Sequence, residues 1–264
     1  MTLTNVIASC AALLFLLCAS LHAQWVNVPP AKLPRTPDGQ PNLSAPAPRL
    51  PDRKPDLSGV WRPDNTFEGK PANFAADLKA DVPLQPWAKA VYDERRSGLH
   101  GNEDPSARCL PQGVPRVNAA PGQWKLVQTS DFIVIIYEAF NILWRQIFLD
   151  GRAVADDAPP TWLGYSTGTW DGDTLVVDTK GFNGKIWLDL MGKPSTDALH
   201  VTERFHRTDF GHMDIDITID DAKAYTKPWT VAEHVRLLPD TDLMEAICNE
   251  NNRDLEHLTG DTPR

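Results

Sequence analysis

The sequence predicts an all-β protein, an antiparallel meander closing into a barrel with one peripheral helix. Three observations carry this. Residues 212–220 alternate without a break, with Met213, Ile215, Ile217 and Ile219 on one side and His212, Asp214, Asp216, Thr218 and Asp220 on the other, the period of a strand with one buried face. From Trp124 onward strand-like segments follow one another over 124–129, 131–138, 142–149, 162–170, 173–179, 199–207, 212–220, 228–238 and 242–249, with no helical pattern between them, which argues against parallel βαβ units. Turn signals join them, the strongest being Asp171-Gly172, which suits a two-residue hairpin. A meander this long tends to close on itself.

The elements before Trp124 differ in kind. Residues 1–23 carry no charged side chain, and their apolar run Ala11–Cys18 is too short to span a bilayer. They read as a secretory signal peptide cut after Ala23, so the chain is expected to be exported, periplasmic or secreted, with no stable membrane insertion after cleavage. Residues 24–56 hold nine prolines and read as a proline-rich arm or linker along the surface. Leu57–Arg62 is a short strand opening a barrel domain over 57–258, and 259–264 is a tail. Leu84, Trp87, Ala88 and Val91 fall at helical spacing, Arg95 and Arg96 close the last turn and Gly98 stops it. This predicts an amphipathic helix over 85–97 with Trp87 packed inward. Residues 98–123 are loop-like.

With 26 basic and 35 acidic residues the net charge is −9, which leaves no basic footprint for nucleic acid or an anionic membrane. Cys10 and Cys18 leave with the signal peptide. Cys109 and Cys248 remain, and two cysteines in an exported chain suggest one disulfide.

If Asp209-Phe210-Gly211 is a three-residue hairpin loop with Gly211 at positive φ, His206 lies opposite Asp214, Arg204 opposite Asp216, Thr202 opposite Thr218 and His200 opposite Asp220. This ladder is expected on the outer face. The apolar parity holds other residues. Phe132, Val134 and Ile136 share it with Glu138; Ile142, Trp144 and Phe148 with Gln146; Val201 and Phe205 with Glu203; Val231 and Val235 with Glu233; Leu243 and Ile247 with Glu245. Glu138 and Glu245 are expected at strand ends, in water. Glu203 and Glu233 are candidates for a polar centre in an apolar cavity, where burial raises a carboxyl pKa.

The pieces Pro55-Asp-Leu-Ser-Gly-Val-Trp61, Thr161–Ser166, Gly172–Thr179, Gly181-Phe-Asn183 and Cys248–Asn251 resemble a widespread, mostly uncharacterised family of exported bacterial proteins. Leu57-Ser-Gly-Val-Trp61 also resembles the opening strand of lipocalin-like barrels, in which a Gly-x-Trp packs across the closed end. The resemblance implies a lipocalin-like antiparallel barrel and carries no catalytic residues over.

The leading expectation is a binding protein for a small apolar or aromatic molecule, with Trp144, Gln146, Tyr137 and Trp229 as ligand contacts. An alternative is a cofactor-independent lyase, hydratase or hydrolase using Glu203 or Glu233 as acid/base, with His206, His234 and Asp214 assisting. A further alternative is a structural envelope protein whose arm holds a partner. Ser166 in Gly164-Tyr-Ser-Thr-Gly168 lacks the strand-turn-helix context of a nucleophile elbow. No metal ligands are assigned: His200 and His206 are too far apart along one strand to share an ion.

Overall fold

The structure, a computed structural model, describes residues 33–64, 69–138, 143–155, 157–248 and 250. Residues 1–23, expected to be a signal peptide, and 259–264, expected to be a tail, lie outside them. Nine strands follow in chain order: β1 (Gly59–Pro63), β2 (Trp124–Gln128), β3 (Phe132–Tyr137), β4 (Leu143–Phe148), β5 (Tyr165–Asp171), β6 (Thr174–Lys180), β7 (His200–Arg207), β8 (His212–Asp220) and β9 (Trp229–Leu237). Among the described residues two short α-helices precede β2: α1 (Pro86–Arg96) and α2 (Arg116–Ala119). The strands form one closed barrel in sequence order, β9 pairing back to β1 through Trp61↔Leu237 and Arg62↔Arg236. This is the all-β lipocalin-like barrel with a peripheral helix that the sequence predicts. The α1 bounds agree with 85–97: Pro86 begins it, Arg95 and Arg96 fill its last turn, and Gly98 ends it at φ +91°.

The meander departs from expectation at its end. Residues 242–248 form no strand, and residue 249 lies outside the described residues. The barrel closes without them because β1 takes the free edge of β9. The segment is tied on by side chains instead. Lys125 holds Asp242 (2.8 and 2.9 Å), and the Met244 N–H donates to Glu138 Oε2 (2.8 Å). Cys248 is joined to Cys109 in a disulfide.

Nine is odd, and that has a geometric cost. Strands that strictly alternate in direction cannot close with an odd number, so one neighbouring pair must run parallel. That pair is β4 and β5, linked by the crossing connection 149–164 and paired only through Ile147↔Ser166 and Phe148↔Thr167. Every other junction is antiparallel. The β7–β8 hairpin has the predicted register, including His206↔Asp214, Arg204↔Asp216 and Glu203↔Ile217.

Two turns differ from expectation in detail. The β5–β6 loop is Gly172-Asp173, one residue later than predicted, with Gly172 at φ +61° in the first loop position. Gly211 is not left-handed; the Asp209 carboxylate instead accepts the N–H groups of Gly211 (2.9 Å) and His212 (2.8 Å). A Cβ on Gly211 would lie 2.5 Å from Leu43 Cβ, so close approach of the 33–56 segment explains the glycine. That segment is engaged with its own barrel, since Ala45 and Leu43 carbonyls accept the Phe210 and Gly211 N–H groups and Arg49 pairs with Asp173 (2.5 Å).

The same end is closed by Arg207. Its guanidinium lies 4.9 Å from the buried Trp61 ring and 5.2 Å from Phe210, and it donates to the backbone carbonyls of Asp56, Asp209 and Phe210. Trp61 in turn donates to Leu57 O (2.9 Å). Burial pushes the Arg207 pKa down to about 10, and its hydrogen bonds run to neutral carbonyls. At the other end, residues 112–120, loop-like in sequence, are buried throughout and bring α2 into the barrel. Arg207→Met strands several carbonyls at once, so chemical denaturation is expected to show a loss of roughly 3 kcal/mol, from charged hydrogen bonds of about 1.5–3 kcal/mol each. Arg207→Lys should restore little of it, because one ammonium lacks the planar spread that reaches carbonyls on both sides.

Candidate functional site

The short β4–β5 pairing leaves the barrel wall incomplete on one side, and side chains fill the gap from within. Arg145 of β4 is 2% exposed. Its Nε donates across the seam to Ser166 Oγ of β5 (2.9 Å), its Nη2 to Thr179 Oγ1 of β6 (2.8 Å), and Nη1 and Nη2 to Glu203 of β7 (3.2 and 2.5 Å). Ser166 and Thr179 hydroxyls lie 3.0 Å apart. From α2, Asn118 Nδ2 donates to Glu203 Oε1 (2.5 Å), and the Tyr137 hydroxyl of β3 donates to Asn118 Oδ1 (2.6 Å). One hydrogen-bonded network thus joins β3, β4, β5, β6, β7 and α2 inside the barrel.

Its electrostatics follow from burial. Desolvation is the largest single influence on the Arg145 pKa and would lower it, but the interactions with Glu203 and Tyr137 together outweigh it and the net shift is upward. Burial pushes the Tyr137 phenol far above its ordinary value, and burial does the same to Tyr225. Both Glu203 oxygens accept charge-assisted bonds, so this carboxylate is committed to holding Arg145.

Outside this network the seam opens into a cleft of about 500 Å³, walled by Leu143, Trp144, Phe148, Trp162 and Tyr165, with Arg145, Gln146 and Ser166 below. Trp144 is 62% exposed. Arg152 stacks on Phe148 at 3.7 Å and pairs with Asp150, which fixes one aromatic wall. Pro111, two residues from the Cys109–Cys248 disulfide, lines the cleft too.

The predicted residues divide accordingly. Trp144 and Gln146 meet in the cleft, but on the outer face: in β3 and β4 the inward residues are Ile133, Ile135, Tyr137, Arg145 and Ile147, so the expected parity is reversed. The reason is that Phe132–Tyr137 is apolar on both faces, which leaves the parity open, and two aromatics in β4 outweighed a lone arginine. Tyr137 belongs to the buried network. Trp229 is elsewhere, packed edge-on to Tyr225 (5.5 Å) and Phe74 (6.3 Å). Glu203 and Glu233 are both inward and buried. His206, His234 and Asp214 lie on the outer face of the same sheet, where His234 Nδ1 meets Asp214 Oδ1 at 2.6 Å. The wall separates the two sets, and they form no common constellation. Glu138 is at a strand end holding Gln123 and Met244, and Glu245 is exposed. Sequence reasoning did not find Arg145, Asn118 and Thr179, and it considered Ser166 only as a nucleophile; the one sequence signal is an arginine that shares its strand face with Leu143 and Ile147.

No family model matches this chain, and no curated protein matches it. A solved structure of a variant of the fluorescent protein UnaG is similar at 14% identity, covering 70% of this chain and 97% of that one with a TM-score of 0.31. That likeness is too distant to carry an argument, and the barrel stands on its own strand pairing.

Glu203→Gln leaves Arg145 buried without a counter-charge and is expected to lower stability by about 3–5 kcal/mol, whereas the paired change Arg145→Met with Glu203→Leu should cost less than the sum of the single changes. Denaturation midpoints of Glu203→Gln, of Arg145→Met and Glu203→Leu singly, and of the double variant measure this. A pH prediction follows from Tyr137 and Tyr225. Their folded pKa values are raised, so the stability they contribute is fully present below the unfolded tyrosine value of about 10 and is lost as pH rises above it. Tyrosinate absorbance from these two is therefore expected to appear only together with loss of the far-ultraviolet circular dichroism signal.

Proposed function

We propose that the β4–β5 cleft binds a small apolar or aromatic molecule non-covalently, and that the protein acts as a binder or carrier. The observation that carries this reading is the solvent-exposed Trp144 indole, standing over a concave, largely aromatic cleft whose floor is already saturated with internal hydrogen bonds. A volume of about 500 Å³ suits one small ring compound. Covering the indole and its aromatic neighbours removes apolar surface from water, and ring pairs add their own geometric preference. Gln146, beside this floor, offers one polar anchor, enough to orient a ligand carrying a single hydroxyl or carbonyl. An acid/base reading has less support, because Glu203 is occupied by Arg145 and Asn118.

We also infer that the chain is exported. The disulfide supports this, since such bonds persist in oxidising compartments. Among the described residues no helix is long and apolar enough to cross a membrane.

Quenching of tryptophan fluorescence by indole or 2-naphthol should saturate in the wild type. Trp144→Ala is expected to weaken binding at least tenfold, about 1.4 kcal/mol, while Leu190→Ala, outside the cleft, should leave it unchanged. Equal affinity in Trp144→Ala would place the ligand somewhere else.

A further inference from the structure

Among the described residues four arginines are buried or half-buried, and three have their donors engaged. Arg116 forms a two-pronged pair with Asp104 (2.8 and 2.9 Å), Arg145 is held by Glu203, and Arg207 is met by backbone carbonyls. Arg95 differs. At the last turn of α1 it lies 4.1 Å over the buried Trp187 ring, and one hydrogen bond, from Nη1 to Gly192 O (3.2 Å), fixes it. Gly192 is pressed against the Arg95 stem, where a Cβ would meet Arg95 Cβ at 2.6 Å. Its nearest carboxylates are already committed: Asp104 to Arg116, and Glu103 to His100 at 3.0 Å. Burial lowers the Arg95 pKa, the mark of a cation set in a partly dry place.

This guanidinium lines a second cleft, about 570 Å³, that shares no lining residue with the seam cleft. Trp87 and Val91, on the same helix face, continue its wall toward the start of α1. Trp87 was expected to pack inward, yet it is 46% exposed, with its indole N–H anchored to Lys223 O (2.7 Å). Anchoring holds the ring in place while leaving it open to solvent. Lys185 adds a second cation to the lining, and two acids oppose the pair: Glu103, held by His100, and Asp197, held by Lys223 at 2.6 Å.

A guanidinium set over an indole, with Nε and Nη2 making no hydrogen bond among the described residues, presents the planar two-donor edge that carboxylates and phosphates fit. Trp87 and Arg95 are eight residues apart on α1, roughly 12 Å along its axis, which favours a ring and an anionic group separated by a short arm. We propose that this cleft binds a small ring-bearing carboxylate of the arylpropanoate type, its carboxylate on the open edge of Arg95 and its ring against Trp87.

The test is calorimetric titration of the full folded chain with 3-phenylpropanoate, 3-phenylpropanamide and inorganic phosphate, run on a Trp144→Ala background so that the seam cleft does not contribute. The expected Kd for phenylpropanoate is on the order of 1 mM or tighter, with the amide at least tenfold weaker. Arg95→Gln should weaken phenylpropanoate at least tenfold and Trp87→Ala by a smaller factor. Equal binding of acid and amide, unchanged binding in Arg95→Gln, or no binding to the parent chain would overturn the assignment. Phosphate binding as tight as phenylpropanoate with no effect of Trp87→Ala would also overturn it, in favour of a general oxyanion site. Should Arg95→Gln fail to fold, the Arg95 Nε–Hε resonance of the unsubstituted residue decides: a shift with the acid and none with the amide supports the proposal, and no shift with the acid refutes it.

Discussion

A closed sheet with an odd number of strands must contain a parallel junction, and the rest of this barrel is arranged around that constraint. The junction falls at β4 and β5, where two residue pairs do the work that six and seven do at the neighbouring hairpins. Backbone hydrogen bonds missing from the wall are replaced by side-chain bonds inside it. Arg145 reaches over the seam to Ser166 and on to Thr179 and Glu203, and α2 enters the barrel to supply Asn118. A guanidinium suits this task because its donors lie in one plane and address several strands together. Burying it costs desolvation, which Glu203 offsets only because the geometry is complete.

The same seam explains why a cleft lies there and what kind of chemistry it offers. Outward of the network the two strands diverge, and aromatic side chains, not backbone, form the walls. Because the network below is internally satisfied, the floor holds little unspent charge. A neutral or weakly polar guest is therefore favoured over an ion. The Arg95 cleft has the opposite character, with a cation whose donors are mostly unspent. The two clefts differ less in size than in what their guanidinium groups already hold.

How much of this was legible in the sequence depends on whether the deciding interaction lies within one strand or between several. The 199–220 hairpin was readable to the residue, because strict alternation fixes the face and the loop fixes the register. Glu203 was placed inward by the same logic. β3 and β4 were not readable: a strand apolar on both faces gives no parity, and Arg145 becomes tolerable inside only through Glu203, 58 residues away. Asn118 sat in a stretch rich in glycine and proline that carries no period at all. Residues 242–248 alternate like a strand but found no free edge, since β1 had taken it. Gly211 reads as a turn glycine, while its real constraint comes from Leu43, far off in sequence.

The claim that the seam is where this barrel takes its guest can be tested by seeing where a guest goes. Crystals soaked in 4-iodophenol would report the iodine position by anomalous scattering. The account predicts the main peak in the β4–β5 cleft, between the walls formed by Trp144 and Trp162. A main peak within the barrel interior, beside Glu233 or Trp229, or no peak at the seam while others are occupied, would contradict it.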